Sequence, residues 1–143
     1  MKPINNFNLK IPSRSANESF ARVAVSAFVS QLDPTLEELS DIKTAVSEAV
    51  TNSIVHAYKN EIGSIYISAE IYENRSIKIR IRDTGSGIED VPKALQPLFT
   101  TVGGERSGLG FSVMQSFMDY LKVTSKPGKG TTVIMKKSLS LKI

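Results

Sequence analysis

Ile77-Lys78-Ile79-Arg80-Ile81-Arg82-Asp83-Thr84-Gly85-Ser86-Gly87 is the stretch on which the fold turns. Its first half alternates apolar and basic residues with a period of two, the pattern of a strand with one dry and one wet face. Its second half admits two incompatible chemistries. Asp-Thr-Gly-Ser can be the loop of an aspartic protease, whose acid works as one of a pair. Asp-x-Gly-x-Gly at the end of an alternating strand can instead be an adenine-binding loop. The rest of the chain arbitrates.

Immediately upstream, Ile65, Ile67, Ala69 and Ile71 alternate with Tyr66, Ser68, Glu70 and Tyr72, and Glu73-Asn74-Arg75 joins the two runs as a hairpin. A doubly wound parallel sheet needs continuously apolar strands, so that architecture is disfavoured. Further back, Phe7, Leu9 and Ile11 mark a strand over Ile4–Ile11. Ser15 with Glu18, and Thr35 with Glu38, have the spacing of capping boxes. The first opens a helix carrying Phe20, Val23, Ala24, Ala27, Phe28 and Leu32, which ends at Asp33-Pro34. The second opens a longer helix with Leu39, Ile42, Val46, Ala49, Ser53 and Ile54, running to about Lys59.

Downstream, Ile88 to Ser107 is irregular, with Pro92, Pro97, Gly103 and Gly104. Gly108-Leu109-Gly110 opens a third helix carrying Val113, Met114, Phe117, Met118 and Leu121. Val123–Lys126 and Thr131–Lys137 read as closing strands around Pro127-Gly128-Lys129-Gly130, and Ser138–Ile143 as a frayed tail. The whole predicts a single α/β domain over 1–143, a two-layer sandwich. Its sheet is mixed but mostly antiparallel, with helices on one face. Two early helices are incompatible with the all-β protease domain.

Composition narrows the function further. The chain has 143 residues, the size of one ordinary domain, and no internal repeat or low-complexity linker. Its formal net charge of +4 is too small to imply nucleic acid by itself. Zero cysteines exclude disulfides and thiolate metal sites, and the single histidine, His56, excludes a histidine-built metal site. No apolar run has the length of a membrane span, and Met1–Pro12 lacks the apolar core of a signal peptide. A soluble cytoplasmic protein is the expectation.

Glu48, Asn52 and His56 recur every four residues along the second helix and flank its apolar stripe. Such a ridge either solvates an ordinary helix edge or lines a cleft, and the helix alone does not choose. Ala45 and Ala49 on the same edge would leave room for a ligand. The chemistry suits a nucleotide: the Asn52 oxygen is a hard ligand for Mg²⁺ beside phosphates, and Glu48 can orient or deprotonate an attacking hydroxyl or water. His56 reads as structural. Asp83 would accept from the exocyclic amine of adenine, Gly85 and Gly87 would let the backbone pass close to the base, and Thr131 would add a hydroxyl nearby. Gly108 and Gly110 at a helix N-terminus would offer N–H groups to phosphates. No Gly-x-x-x-x-Gly-Lys-Ser/Thr occurs, so a P-loop is excluded.

This order of elements resembles the Bergerat-type ATPase/kinase fold shared by gyrase B subunits, Hsp90 chaperones, histidine kinases and MutL proteins. Ser47-Glu48-Ala49-Val50-Thr51-Asn52 through His56-Ala57-Tyr58 is similar to its N-box. A closer resemblance is to the anti-sigma serine kinases of spore-forming bacteria. It is carried by Asn17–Val23, Gln31–Thr35, Gln96–Thr101 and Glu105–Phe111, and it runs over nearly the whole chain.

The resemblance implies a homodimeric switch protein in sporulation. It would bind a sigma factor, and it would transfer the γ-phosphoryl of ATP to a serine of an anti-anti-sigma protein, passing to ADP. Glu48 would be the base, Asn52 the Mg²⁺ ligand and Asp83 the adenine reader. Arg106 would reach the γ-phosphate, Ser107 would join Gly108 and Gly110 around the phosphates, and Arg22 would face partner proteins. Val102-Gly103-Gly104 departs from the more charged stretch usual in that family. Two alternatives are a non-catalytic ATP-binding regulatory module and the catalytic module of a histidine kinase. The latter is disfavoured, since no phosphoacceptor helix pair is read ahead of the domain. No direct contact with nucleic acid or membrane is expected.

Overall fold

The computed structural model describes residues 1–95 and 110–141. Its elements in chain order are β1 (Asn5–Pro12), α1 (Ala16–Val29), a 3-10 turn (Ser30–Leu32), α2 (Leu36–Asn52) and a π-helical turn (Ser53–Ala57). There follow β2 (Ser64–Ile71), β3 (Ser76–Asp83), the short α3 (Val91–Ala94), α4 (Gly110–Phe117), β4 (Tyr120–Lys126) and β5 (Gly130–Ser138).

The strands form one sheet in the order β1-β2-β3-β5-β4. Every ladder among the described residues is antiparallel, so the sheet has no parallel pair where a mixed one was expected. Alternation in β2 and β3 sends Ile65, Ile67, Ile71, Ile77, Ile79 and Ile81 to one face, where each is at most 1% exposed. They meet Val25 and Val29 of α1 and Ile42, Val46 and Val50 of α2 in one core. Burial of this much branched aliphatic surface is the main term holding the layers together, at roughly 25 cal/mol per Å². Phe7 of β1 and Phe28 of α1 pack edge to face at 4.9 Å and tie the first helix to the sheet edge.

The two expected capping boxes diverge. Thr35 has extended backbone, accepts from the Glu38 amide at 3.1 Å and donates its own N–H to the Glu38 carboxylate at 2.8 Å. Ser15 instead sits in helical conformation and makes no side-chain cap. The amides of Asn17 and Glu18 already bond to the carbonyls of Arg14 and Ser15, which removes the need for one. The Glu18 carboxylate pairs with Arg22 one turn on, at 3.1 Å.

Three other boundaries differ from expectation. The second helix ends as an α-helix at Asn52, and its continuation to Ala57 is π-helical. The third helix ends at Phe117, and Leu121 lies in β4. Asp119 explains that early end: its amide bonds to the Lys136 carbonyl at 2.9 Å and its carboxylate accepts from Ser138 at 2.7 Å, drawing the chain into the sheet. The tail is held as far as Ser140 rather than frayed from Ser138. Leu139 is buried and bonds to the Arg75 carbonyl, while the Ser140 amide donates to Glu38 at 2.7 Å. Arg75, at φ 67°, spans the gap by donating to the carbonyls of Leu32 and Ser140.

Candidate functional site

The end of α2 and the start of α4 meet where the polar ridge was expected. A Cβ added to Gly110 would lie 3.3 Å from the Asn52 amide nitrogen and 3.3 Å from a Glu48 carboxylate oxygen. Gly110, the first described residue of α4, therefore packs closely against these two side chains, and even a methyl group there would be tight. The Asn52 amide and the Glu48 carboxylate thus meet at α4, a hard-oxygen pair of the kind that suits a divalent cation. Ala45 and Ala49 line no such site. They are at most 1% exposed within the core, where small side chains permit close packing instead of leaving room for a ligand.

Asp83 closes β3 and is 4% exposed. One carboxylate oxygen accepts from the Gly85 amide at 3.0 Å and the Thr131 amide at 3.2 Å, and the other accepts from the Ser53 hydroxyl at 3.1 Å. These occupy three of the roughly four lone-pair sites of a carboxylate and leave capacity for one more donor, such as an exocyclic amine. Burial pushes the Asp83 carboxyl above its ordinary pKa. The Gly85 amide, the Ser53 hydroxyl, the Thr131 amide and the Arg82 charge each pull it back.

The glycines of the loop have a further role. A Cβ at Gly85 would come within 2.6 Å of the Ala57 Cβ, and one at Gly87 would strike the Lys126 backbone. Gly87 also has φ 76°. Both let the loop press against its own protein, a reason for glycine besides clearance for a base. Gly130, at φ 99°, lies against the backbone of Asp83 and Thr84 in the same way.

Several residues of this network carry no motif. Ser53 reads in the sequence as part of an apolar stripe, yet the π-turn brings its hydroxyl onto Asp83; such turns recur at functional sites. The Tyr58 hydroxyl donates to the Ser64 carbonyl and accepts from the Thr84 amide, both at 2.7 Å. The Ser125 hydroxyl accepts from the Ile88 amide at 2.8 Å and lies 2.8 Å from the Thr131 hydroxyl. His56 belongs to the π-turn, and its carbonyl accepts from Ser86 at 3.2 Å, which links that turn to the Asp83 loop. Arg22 lies on α1 in its ion pair with Glu18. Arg106, Ser107 and Gly108 lie outside the described residues.

Comparison with known proteins identifies the family. The histidine kinase-like ATPase domain matches residues 11–137. An anti-sigma F factor of Caldanaerobacter subterraneus subsp. tengcongensis is 63% identical over 134 residues, covering 93% of each chain. Those of a Thermoanaerobacter species and of Clostridium acetobutylicum are 59% and 55% identical, each over 96% of both chains. Among solved structures, the RsbU and RsbW domains of a Mycobacterium tuberculosis protein superpose with a TM-score of 0.72 at 16% identity, covering 98% of this chain and 34% of that one. The catalytic domain of the histidine kinase ThkA does so with a TM-score of 0.60 at 15% identity, covering 95% and 97%. The chain belongs to the histidine kinase-like ATPase domain family and, within it, to the anti-sigma F factors.

No described helix is long and apolar enough to cross a membrane.

Proposed function

We propose that this chain inhibits a sporulation sigma factor by binding it and, as an ATP-dependent protein serine kinase, phosphorylates a serine of its anti-anti-sigma protein. The observation that carries the reading is the convergence of Glu48 and Asn52 on the glycine that begins α4. The purine end of ATP would meet Asp83 and Thr131, and its phosphates would reach the start of α4. Asn52 would hold Mg²⁺, which when bound neutralises phosphate charge. Glu48 would accept the proton of the substrate serine as its oxygen bonds to the γ-phosphorus. The bond from that phosphorus to the bridging oxygen breaks, and ADP leaves with the electron pair. Phosphoryl transfer depends mostly on positioning and charge stabilisation, so Arg106, Ser107 and Gly108 would complete the site beside the phosphates.

The relatives' name supports a sigma factor as one partner. A homodimer, with Arg22 on the surface that meets the partners, and a cytoplasmic location complete the reading.

Labelled Mg-ATP with the anti-anti-sigma protein tests it. Label should appear on a serine of that protein. Glu48→Ala should stop transfer and keep nucleotide binding, whereas Asn52→Ala should abolish Mg²⁺-dependent binding. Nucleotide bound with no label transferred would leave a non-catalytic regulatory module. Equal loss of binding in both variants would mean the two roles are wrongly divided.

A further inference from the structure

The helices cover one face of the sheet, and the other face carries the polar half of every alternating strand. Register places Lys10 beside Tyr66, Tyr66 beside Arg82, and Glu70 beside Lys78. The row continues with Lys78 beside Lys136, Arg80 beside Ile134, and Ile134 beside Lys122. These six cations, set against Glu70, outweigh the +4 formal net charge of the whole chain. Lys78 and Lys136 stand directly opposite on neighbouring strands about 4.8 Å apart, a like-charge pairing that destabilises a sheet. Glu70 lies 3.9 Å from Lys78. Arg80 and Lys122 have no acidic partner among the described residues. The fold gains nothing from this repulsion, and an anionic partner would relieve it.

The details separate two kinds of anion. A single-stranded nucleic acid needs open aromatic faces on which bases stack. Here the Arg82 guanidinium lies 4.1 Å from the centre of the Tyr66 ring, and the Lys136 ammonium lies 4.7 Å from that of Tyr120. The protein's own cations already lie over one face of each ring. Ile134, only partly buried, stands between Arg80 and Lys122 as an apolar centre with a charged rim, the anatomy of a protein interface. On the β1 side of Arg80, a depression of about 310 Å³ bordered by Asn8, Ser68, Glu70, Lys78 and Arg80 could receive a polar side chain.

We propose that this open sheet face is a docking surface for an acidic protein, whose carboxylates meet Arg80, Lys122 and Lys136. It lies on the opposite side of the sheet from the helices that carry Glu48 and Asn52 and does not depend on the nucleotide reading.

The test follows backbone amide resonances of the full chain during titration with a polyglutamate peptide and, separately, with an oligothymidylate. Polyglutamate should shift resonances of β3, β5 and β4. Raising the salt should weaken binding several-fold. The triple variant Arg80→Glu, Lys122→Glu, Lys136→Glu should weaken it at least tenfold, and the neutral Arg80→Gln, Lys122→Gln pair by a smaller factor. Arg14→Glu, an exposed charge change ahead of α1, should leave it unchanged. Retained dispersion of the backbone amide resonances in the variants would show that they fold. The proposal is overturned if polyglutamate causes no shifts, if shifts map to the helical face, or if only the oligothymidylate binds.

Discussion

The hydroxyl of Ser53 donates to the carboxylate of Asp83 across 3.1 Å, and so joins the end of α2 to the end of β3. The two residues are 30 positions apart and come from different layers. The bond exists because the chain leaves α-helical geometry at Ser53 and enters a π-turn. It connects the helix of Glu48 and Asn52 to the loop expected to read the base, so both ends of the site share one support. Ser53→Ala should cost about 1–3 kcal/mol, the range for leaving a buried polar group short of a partner. Urea denaturation checks this, and an unchanged midpoint would assign the support to the backbone alone.

Asp83→Asn should weaken ATP binding by at least tenfold, since hydrogen bonds to charged groups contribute about 1.5–3 kcal/mol. Calorimetric titration measures it. An asparagine that binds ATP normally would remove Asp83 from base recognition.

The pH dependence of the same residue has a definite sign. Burial raises the Asp83 pKa in the folded chain. Its contribution to stability is therefore present below the unfolded value, about 3.9, and is lost as pH rises through the folded value. Nucleotide binding runs the other way, because the amine of adenine requires the ionised carboxylate. Binding should fall on acidification at a pH above the ordinary aspartate value. Paired titrations of the parent chain and Asp83→Asn should show opposite slopes for stability and binding in the parent, and neither contribution in the variant.

Gly110→Ala separates folding from binding. Its methyl group would stand 3.3 Å from both Asn52 and Glu48, so those two side chains must shift to admit it. The expected result is a folded protein whose melting temperature changes little and whose ATP affinity, measured by calorimetric titration, falls at least tenfold.

Gly130→Ala should act on the fold instead. At φ 99° and against the Asp83 and Thr84 backbone, a side chain costs on the order of 1–3 kcal/mol and displaces the strand that delivers Thr131 to Asp83. Thermal denaturation with and without ATP would register a loss in both.

Much of the architecture was legible along the chain because it rests on local periodicity. The alternation of Ile77, Ile79 and Ile81 with Lys78, Arg80 and Arg82 defined a strand with one wet face, and the structure keeps both faces. The Thr35 and Glu38 pair capped a helix as its spacing indicates, while the identical spacing at Ser15 and Glu18 did not. A capping side chain answers to the backbone around it, which four letters do not specify. Glu48 and Asn52 were visible as a ridge on a helix edge, but whether that edge was wet or faced a site was open.

Tertiary structure decided what lies beside that ridge, and two further matters. It brought Gly110 against the ridge from 58 positions away, since a contact between helices depends on how their layers pack and not on spacing within either one. It enlisted Ser53, Tyr58 and Ser125, whose hydroxyls follow no period. It gave Gly85 and Gly87 close contacts of the protein with itself, a role besides clearance for a ligand. The sequence alone determined a sheet with helices on one side and named the polar residues of the candidate site. Their approach to one another depended on the shared core, because burying both helices on one sheet face brings their polar edges together.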